Sequence, residues 1–151
     1  MPNQLHSLMN TQLTNWTVLY TKLHNYHWYV KGPHFFTLHE KFEEFYTETA
    51  TYIDDIAERL LTIGGQPVGT LKETLEMATI QEASGSEKAD EMVEIILQDF
   101  KIIANDIETL LEVADEAKDE ETGDLFLGIK AALEKHMWML QSYLEKKKKT
   151  K

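Results

Sequence analysis

Apolar residues recur at helical spacing along almost the whole chain, and this periodicity is the feature that most limits the fold. Through residues 3–31 the steps alternate between four and three residues, as they do on one face of an α-helix. Gly32 and Pro33 then interrupt the pattern, because neither residue favours continuation of a helix. The predicted face consists of Met9, Leu13, Trp16, Tyr20, Leu23, His27 and Val30.

Three further segments show the same periodicity. A second helix is predicted from about Phe35 to Ile63, where Gly64 and Gly65 end it, and a third from about Glu87 to Ala114. The fourth helix follows the acidic segment "DEAKDEETGD". The face of the second helix consists of Leu38, Phe42, Phe45, Thr49, Ile53, Ile56 and Leu60. The face of the third consists of Met92, Ile96, Phe100, Ile103, Ile107, Leu110 and Ala114. The face of the fourth consists of Phe126, Ile129, Leu133, His136, Leu140 and Tyr143 or Leu144.

The connection between the second and third helices is long and contains a short helix of its own. Thr70 and Glu73 form a capping box ahead of Leu71 and Leu75. Two tight turns and one long middle crossover match the ferritin-like connectivity of four-helix bundles. We therefore expect an all-α fold, a ferritin-like four-helix bundle with an extra short helix in the crossover, as a single domain over residues 1–151 that ends in a basic tail at residues 146–151.

Composition narrows the class of function. The chain has no cysteine, which excludes disulfides and thiolate metal sites, and its net charge is −11. All 26 carboxylates lie between Glu40 and Glu145, whereas "KKKKTK" ends the sequence. An acidic body repels nucleic acid and attracts cations. Without a secretion signal or a long apolar run, we expect a cytoplasmic protein with no membrane partner.

Four of the six histidines lie within sixteen residues around the Gly-Pro break, in "HNYHWYVKGPHFFTLH". Ferritin-like di-iron proteins usually bind metal inside the bundle through Glu-x-x-His pairs, and this sequence contains no such pair. The remaining candidate ligands are His27, His39, Glu43, Asp54 and Glu58. Imidazoles with hard carboxylates suit Fe(II), Mn(II) or Zn(II).

The spacing of these candidates excludes a site within one chain. His39 and Asp54 are fifteen residues apart on one predicted helix, a separation of about 22 Å. Metal–ligand bonds are only about 2 Å long. An antiparallel two-fold pairing of second helices would place His39 of one chain beside Asp54 of its mate, so the predicted site lies between subunits and occurs twice in a dimer.

Two stretches closely resemble the Dps family of bacterial mini-ferritins. They are "KLHNYHWYVKGPHFFTLHEKFEEFYTETATYIDDIAERLLTIGGQP" and "GDLFLGIKAALEKHMWMLQSYL", and the resemblance extends from about Leu5 to Leu144. It implies a hollow dodecamer that oxidises Fe(II), preferably with hydrogen peroxide, and stores ferric mineral. The implied centre holds two irons between His27, His39 and Glu43 of one subunit and Asp54 and Glu58 of its mate, with Trp28 as an electron donor beside it.

The acidic segment and the basic tail have alternative interpretations. The segment is either a solvated loop or, as the resemblance implies, part of an iron-admitting pore at a three-fold axis, formed by Asp115, Glu120 and Asp124. The tail either opposes the dipole of the last helix or binds DNA through Lys146, Lys147, Lys148, Lys149 and Lys151. Dps proteins that coat DNA often use a lysine-rich N-terminal arm, whereas this chain has no lysine before Lys22.

Other candidates have structural interpretations. His136 lies on an apolar face and is expected to be a hydrogen-bonded core histidine, and Trp16 and Trp138 are expected to pack. His24 and His34 are expected near the site or at the surface. The alternatives to an iron-oxidising store are therefore a DNA-compacting protein and a metal-free helical interaction module.

Overall fold

The computed structural model describes the backbone of residues 2–148 and the side chains of residues 4–145. Within this part the chain forms five α-helices and no strand. The predicted all-α fold, four long helices with a short helix in the crossover, is confirmed. The helices are α1 (Pro2–Tyr29), α2 (Phe35–Thr62), α3 (Leu71–Met77), α4 (Ala89–Glu116) and α5 (Glu120–Lys148). No helix in the described part is long and apolar enough to cross a membrane.

The predicted helix faces form one core. On α4 all seven face residues are buried, and on α2 all are buried except Ile53, which is half-buried. Trp16 is fully buried, and its ring lies 4.9 Å from that of Tyr52. Trp138 is 66% exposed, which contradicts the prediction that it packs. The reason is its position on α5, two residues from His136 and therefore well away from the core-facing stripe.

The ends of the helices differ from the predicted boundaries by a few residues. α1 ends at Tyr29 and not at residue 31, and Gly32 takes a φ of 115°, which favours glycine. The acidic segment is mostly helical, because only residues 117–119 separate α4 from α5. Asp119 caps α5: its Oδ1 accepts a hydrogen bond from the Thr122 N–H at 3.1 Å.

Two asparagines of α1 hold the crossover against the bundle. The side chain of Asn15 donates to Thr79 Oγ1 at 3.0 Å and accepts from the backbone N–H groups of Thr79 and Ile80. Asn10 bonds in the same way to Gln66 and Val68. The predicted cap of α3 is also present, because Thr70 Oγ1 accepts from the Glu73 N–H at 3.2 Å. A long connection is thereby held in place by specific backbone hydrogen bonds.

Candidate metal centre

The imidazoles of His27 and His39 face each other across the α1–α2 hairpin. Their rings are stacked, with centroids 3.7 Å apart and planes 13° from parallel. Nδ1 of His27 lies 2.7 Å from the backbone oxygen of His39, and Nδ1 of His39 lies 2.7 Å from the backbone oxygen of His27. The two residues therefore hold each other through a reciprocal pair of hydrogen bonds.

The Gly-Pro break makes the His27 carbonyl available. The last carbonyls of a helix have no partner in the next turn. Val30 N–H still bonds to the Tyr26 oxygen, but α1 then ends, and the His27 oxygen accepts from His39 instead. The His39 carbonyl lies within α2 and uses its second lone pair for His27. The sequence break thus creates one of the two acceptors.

This pairing fixes the tautomers of both histidines. A carbonyl oxygen only accepts, so each Nδ1 carries the proton, and each Nε2 of the neutral ring keeps a free lone pair. Metal-binding histidines usually show this arrangement, in which the second nitrogen donates to a carbonyl or carboxylate and orients the ring. His27 is 8% exposed and His39 is half-buried. The hydrogen bonds therefore fix the orientation of both imidazoles and leave each Nε2 lone pair free. That these two atoms bind metal stays a prediction.

Aromatic rings surround the pair. Phe35 stacks on His39 at 4.9 Å, and Tyr46 meets His27 edge-on at 5.3 Å. His24 donates from Nδ1 to the Tyr20 carbonyl at 3.0 Å and stacks on Tyr46 at 3.7 Å. Burial raises the pKa of the Tyr46 phenol, with a further contribution from the carboxylate of Glu43. These contacts restrict the rotation of the imidazoles.

The predicted carboxylate ligands are all on α2 and all exposed. Glu43 follows His39 by one helical turn, whereas Asp54 and Glu58 lie towards the other end of the helix. Because α2 is continuous, His39 and Asp54 are separated by fifteen residues of one helix, or about 22 Å. Among the described residues, none of the three carboxylates has a hydrogen-bond or ion-pair partner, so all three are available to a cation.

One chain alone does not assemble a complete centre. In the described part, no three histidine or acidic side chains lie close enough together to hold a metal ion. The structure brings His27 of α1 and His39 of α2 together. Glu43 lies one turn beyond His39 on α2, whereas Asp54 and Glu58 lie towards the other end of that helix. The sharing of a site between two subunits stays a prediction.

Comparisons with known proteins agree with this architecture. The family model described as "Ferritin-like domain" matches residues 7–150. The DNA protection during starvation protein 2 of Bacillus anthracis is 56% identical over 144 residues, which is 95% of this chain and 99% of that relative. The crystal structure of a Dps protein from Bacillus brevis is 52% identical and superposes with a TM-score of 0.93, covering 95% of this chain and 96% of that one.

The chain belongs to the Dps family. A further Dps structure, from Vibrio cholerae O1, is described as a member of a broad superfamily of ferritin-like diiron-carboxylate proteins. It is 34% identical and superposes with a TM-score of 0.92, covering 95% of this chain and 90% of that one. The predicted membership of the Dps family is confirmed.

The acidic residues predicted to form a pore lie together in this Dps chain. Asp115 belongs to the last turn of α4, and Glu120 and Asp124 belong to the first turns of α5. With Asp119 they line a shallow concavity of about 410 Å³. Arg59 of α2 pairs with Asp119 at 3.0 Å. Burial alone would raise the pKa of the Asp119 carboxyl, but the hydrogen bonds from Thr122, and to a smaller extent the Arg59 guanidinium, outweigh it and lower the pKa. A pore itself requires other subunits and stays a prediction.

Trp28, predicted as an electron donor, is 65% exposed, and its ring contact is with His24 at 5.4 Å. Sequence reasoning missed Tyr46, the tyrosine whose ring touches His27. A signal was present, because Tyr46 follows His39 by seven residues, which is two turns on the same face of α2.

The remaining predictions concern histidines and the tail. His136 Nε2 lies 2.7 Å from Glu48 Oε1, and its ring packs on Phe45, as expected of a hydrogen-bonded histidine at the core margin. His34 is exposed, and its ring lies 5.7 Å from that of Tyr143. The predicted DNA-binding lysines lie outside the described side chains, and residues 149–151 lie outside the described residues altogether.

Proposed function

We propose that this Dps protein oxidises Fe(II) with hydrogen peroxide, and more slowly with O₂, at di-iron centres shared by two subunits. The resulting ferric mineral is stored inside a hollow shell of twelve chains, as the family resemblance implies. Iron and peroxide are the two reactants of Fenton chemistry, and the reaction consumes both. The proposed function is therefore protection of the cell against oxidative damage.

The observation that carries this proposal is the reciprocal hydrogen bonding of His27 and His39. It leaves two neutral Nε2 atoms oriented to bind a borderline cation such as Fe(II). Glu43 on the same helix adds a carboxylate oxygen, the type of ligand that favours the harder Fe(III) product. Asp54 and Glu58 of the two-fold mate would supply the rest.

The proposed reaction balances without a resident redox cofactor. Each Fe(II) gives one electron and peroxide accepts two, so two Fe(II), one H₂O₂ and two protons yield two Fe(III) and two waters. This chain's contribution is to place two irons side by side and to neutralise part of their charge with carboxylates. Fe(II) would reach the interior through the acidic concavity of Asp115, Glu120 and Asp124, whose negative potential attracts cations.

Mixed assemblies test the shared centre. We would co-express His39→Gly and Asp54→Ala chains and measure Fe(II) oxidation and peroxide consumption. Each variant alone damages every site, but a mixed two-fold pair contains one site with an intact histidine half and an intact carboxylate half. Partial recovery of activity is therefore expected. Asp55→Ala, which removes the adjacent exposed carboxylate, is the matched control and should behave like the wild type.

Two results would contradict the proposal. If the wild-type protein leaves Fe(II) oxidation no faster than buffer does, there is no ferroxidase. If the mixture of variants recovers nothing while wild type is active, the centre lies within one chain.

Iron-filled shells in electron micrographs would additionally exclude a metal-free interaction module. The cytoplasmic location predicted from the sequence stays a prediction.

DNA compaction is the second candidate function, favoured by the name of the Bacillus anthracis relative and by the five lysines of the C-terminal tail. Twelve tails on one shell would bind DNA by multivalency. A gel shift should weaken steeply with salt and disappear when residues 146–151 are deleted. No shift at low salt and near-neutral pH would exclude it.

A further inference from the structure

Tyr46 connects the histidine pair to a chain of aromatic rings. Its ring meets His27 edge-on at 5.3 Å with planes 85° apart, and it also meets Tyr20 edge-on at 6.1 Å. On its other side it stacks on His24 at 3.7 Å, and His24 in turn contacts Trp28 at 5.4 Å. Ring centroids at such separations are typical of aromatic side chains in contact, so the rings form a continuous series from His27 to Tyr20 and to Trp28.

We propose that Tyr46 is the direct electron donor to the centre when peroxide reacts at a single bound iron. This inference rests on the proposed ferroxidase function. A centre with two Fe(II) supplies both electrons that peroxide requires, whereas a centre with one Fe(II) supplies half of them. The missing electron must come from the protein, or an oxidant of hydroxyl-radical strength escapes.

The step balances in atoms and electrons. Fe(II), H₂O₂, the Tyr46 phenol and one proton yield Fe(III), two waters and a neutral Tyr46 radical. Peroxide is the oxidant: its O–O bond breaks, and it takes one electron from iron and one from the phenol. The phenol's O–H bond breaks as well, and its proton ends in water.

The arrangement of the rings favours Tyr46 over Trp28 as the first donor. Among the described residues, Tyr46 is the redox-active side chain whose ring touches His27. Trp28 is the next residue after His27 in the chain, but its ring contacts that of His24 and not that of His27. Tyr20, on the far side of Tyr46, can then reduce the Tyr46 radical and move the unpaired electron away from the iron. Trp28, whose ring contacts that of His24, is a second residue to which the unpaired electron can move.

The test uses full-length protein, stripped of iron and then given less than one Fe(II) per centre, mixed with peroxide and frozen rapidly. Electron paramagnetic resonance should show a tyrosyl radical in wild type, identified by the spectral change on ring-deuteration of tyrosine. Tyr46→Phe keeps the ring that packs on His27 and should lose most of this signal. Tyr29→Phe is the matched control: this phenol is 63% exposed and has no ring contact with either histidine of the pair, so its removal should leave the signal intact.

A second measurement needs no variant. Spin-trap adducts formed in the wild-type protein are located by mass spectrometry of its peptides, and we expect them on Tyr46 or Tyr20. A tyrosyl signal of wild-type size in Tyr46→Phe, or adducts on neither Tyr46 nor Tyr20 (adducts on Trp28 alone included), overturns the inference. Rapid Fe(II) oxidation without a Tyr46 radical defeats this inference alone, whereas wild-type protein that does not accelerate Fe(II) oxidation defeats the proposed function.

Discussion

The ammonium of Lys22 lies 2.6 Å from Oδ2 of Asp99, and these side chains are only 3% and 8% exposed. This ion pair joins α1 to α4 in the interior of the subunit. Burial raises the pKa of Asp99 although the Lys22 ammonium opposes the shift. The pair therefore compensates two charges whose separate burial would be costly.

Removing one partner should be far more damaging than removing both. Lys22→Met leaves Asp99 buried without a counter-charge, and we expect a loss of about 3–5 kcal/mol in the free energy of unfolding at neutral pH. The double variant with Asp99→Leu should fall within about 1 kcal/mol of wild type or exceed it. Denaturant unfolding measures both. Lys130→Met, which breaks the more exposed pair with Glu134, is the control.

The sign of the pH dependence provides a separate check of Lys22→Met. In this variant the folded-state pKa of Asp99 is raised above its unfolded value, so the folded state binds the extra proton. Stability should therefore rise as pH falls through the folded pKa, because a neutral carboxyl tolerates burial better. A variant whose stability is unchanged at neutral pH would show that the pair contributes little.

Tyr26 and Glu87 give a second prediction. The Tyr26 hydroxyl donates to Glu87 Oε2 at 2.7 Å, and the same carboxylate accepts from the N–H groups of Ser84 and Gly85. Burial alone would raise the pKa of Glu87, but these hydrogen bonds outweigh it and lower the pKa from 4.5 to about 2. Tyr26→Phe keeps the ring and should cost about 1.5 kcal/mol of stability at neutral pH.

The pH profile of Tyr26→Phe should also change. A depressed folded-state pKa means that the contribution of Glu87 is complete above pH 4.5 and is lost as pH falls towards about 2. Without the phenol the folded pKa rises, so the acid-dependent loss becomes smaller and occurs at higher pH. Denaturant unfolding across this range measures it. Identical profiles for Tyr26→Phe and the exposed Tyr29→Phe would contradict the interpretation.

The third prediction is that His27 and His39 do not contribute independently to metal affinity. Each imidazole orients the other through its hydrogen bond, so His27→Ala and His39→Ala each remove one ligand and also the orienting partner of the second ligand. Loss of an orienting partner alone lowers metal affinity about 10–100-fold. Each single variant should therefore weaken Co(II) binding by more than removal of one ligand would. The double variant should lose much less than the product of the two single losses. Titration of the assembled protein measures all three. Independent, multiplying losses would mean that the reciprocal hydrogen bonds do not orient the rings.

The fourth prediction concerns Arg59 and its contacts with the acidic segment. Its Nε donates to Thr122 Oγ1 and its guanidinium pairs with Asp119, so the C-terminal end of α2 is tied to the start of α5. The side chains are 25% and 15% exposed, and Arg59→Gln should cost about 1–2 kcal/mol after allowance for solvent screening. Lys41→Gln, which breaks the exposed pair with Glu44, should stay within about 0.5 kcal/mol of wild type. Equal effects in denaturant unfolding would contradict this assignment.

Periodicity predicted the long helices well because burial of one face is a local property of the sequence. Residues such as Phe42, Phe100 and Leu133 follow the helical repeat and lie in the core. The boundaries were less accurate. The acidic segment reads as a loop by composition, whereas the Asp119 cap and its bond to Arg59 keep all but residues 117–119 helical.

By itself, the sequence determined the bundle, its crossover helix and the separation of His39 from Asp54, because helix rise and side-chain period depend on neighbours along the chain. Only the tertiary structure decided that His27 and His39 share two hydrogen bonds and that the ring of Tyr46 touches His27. These features depend on the rotation and offset of one helix against another. Packing sets both, and no single helix encodes them.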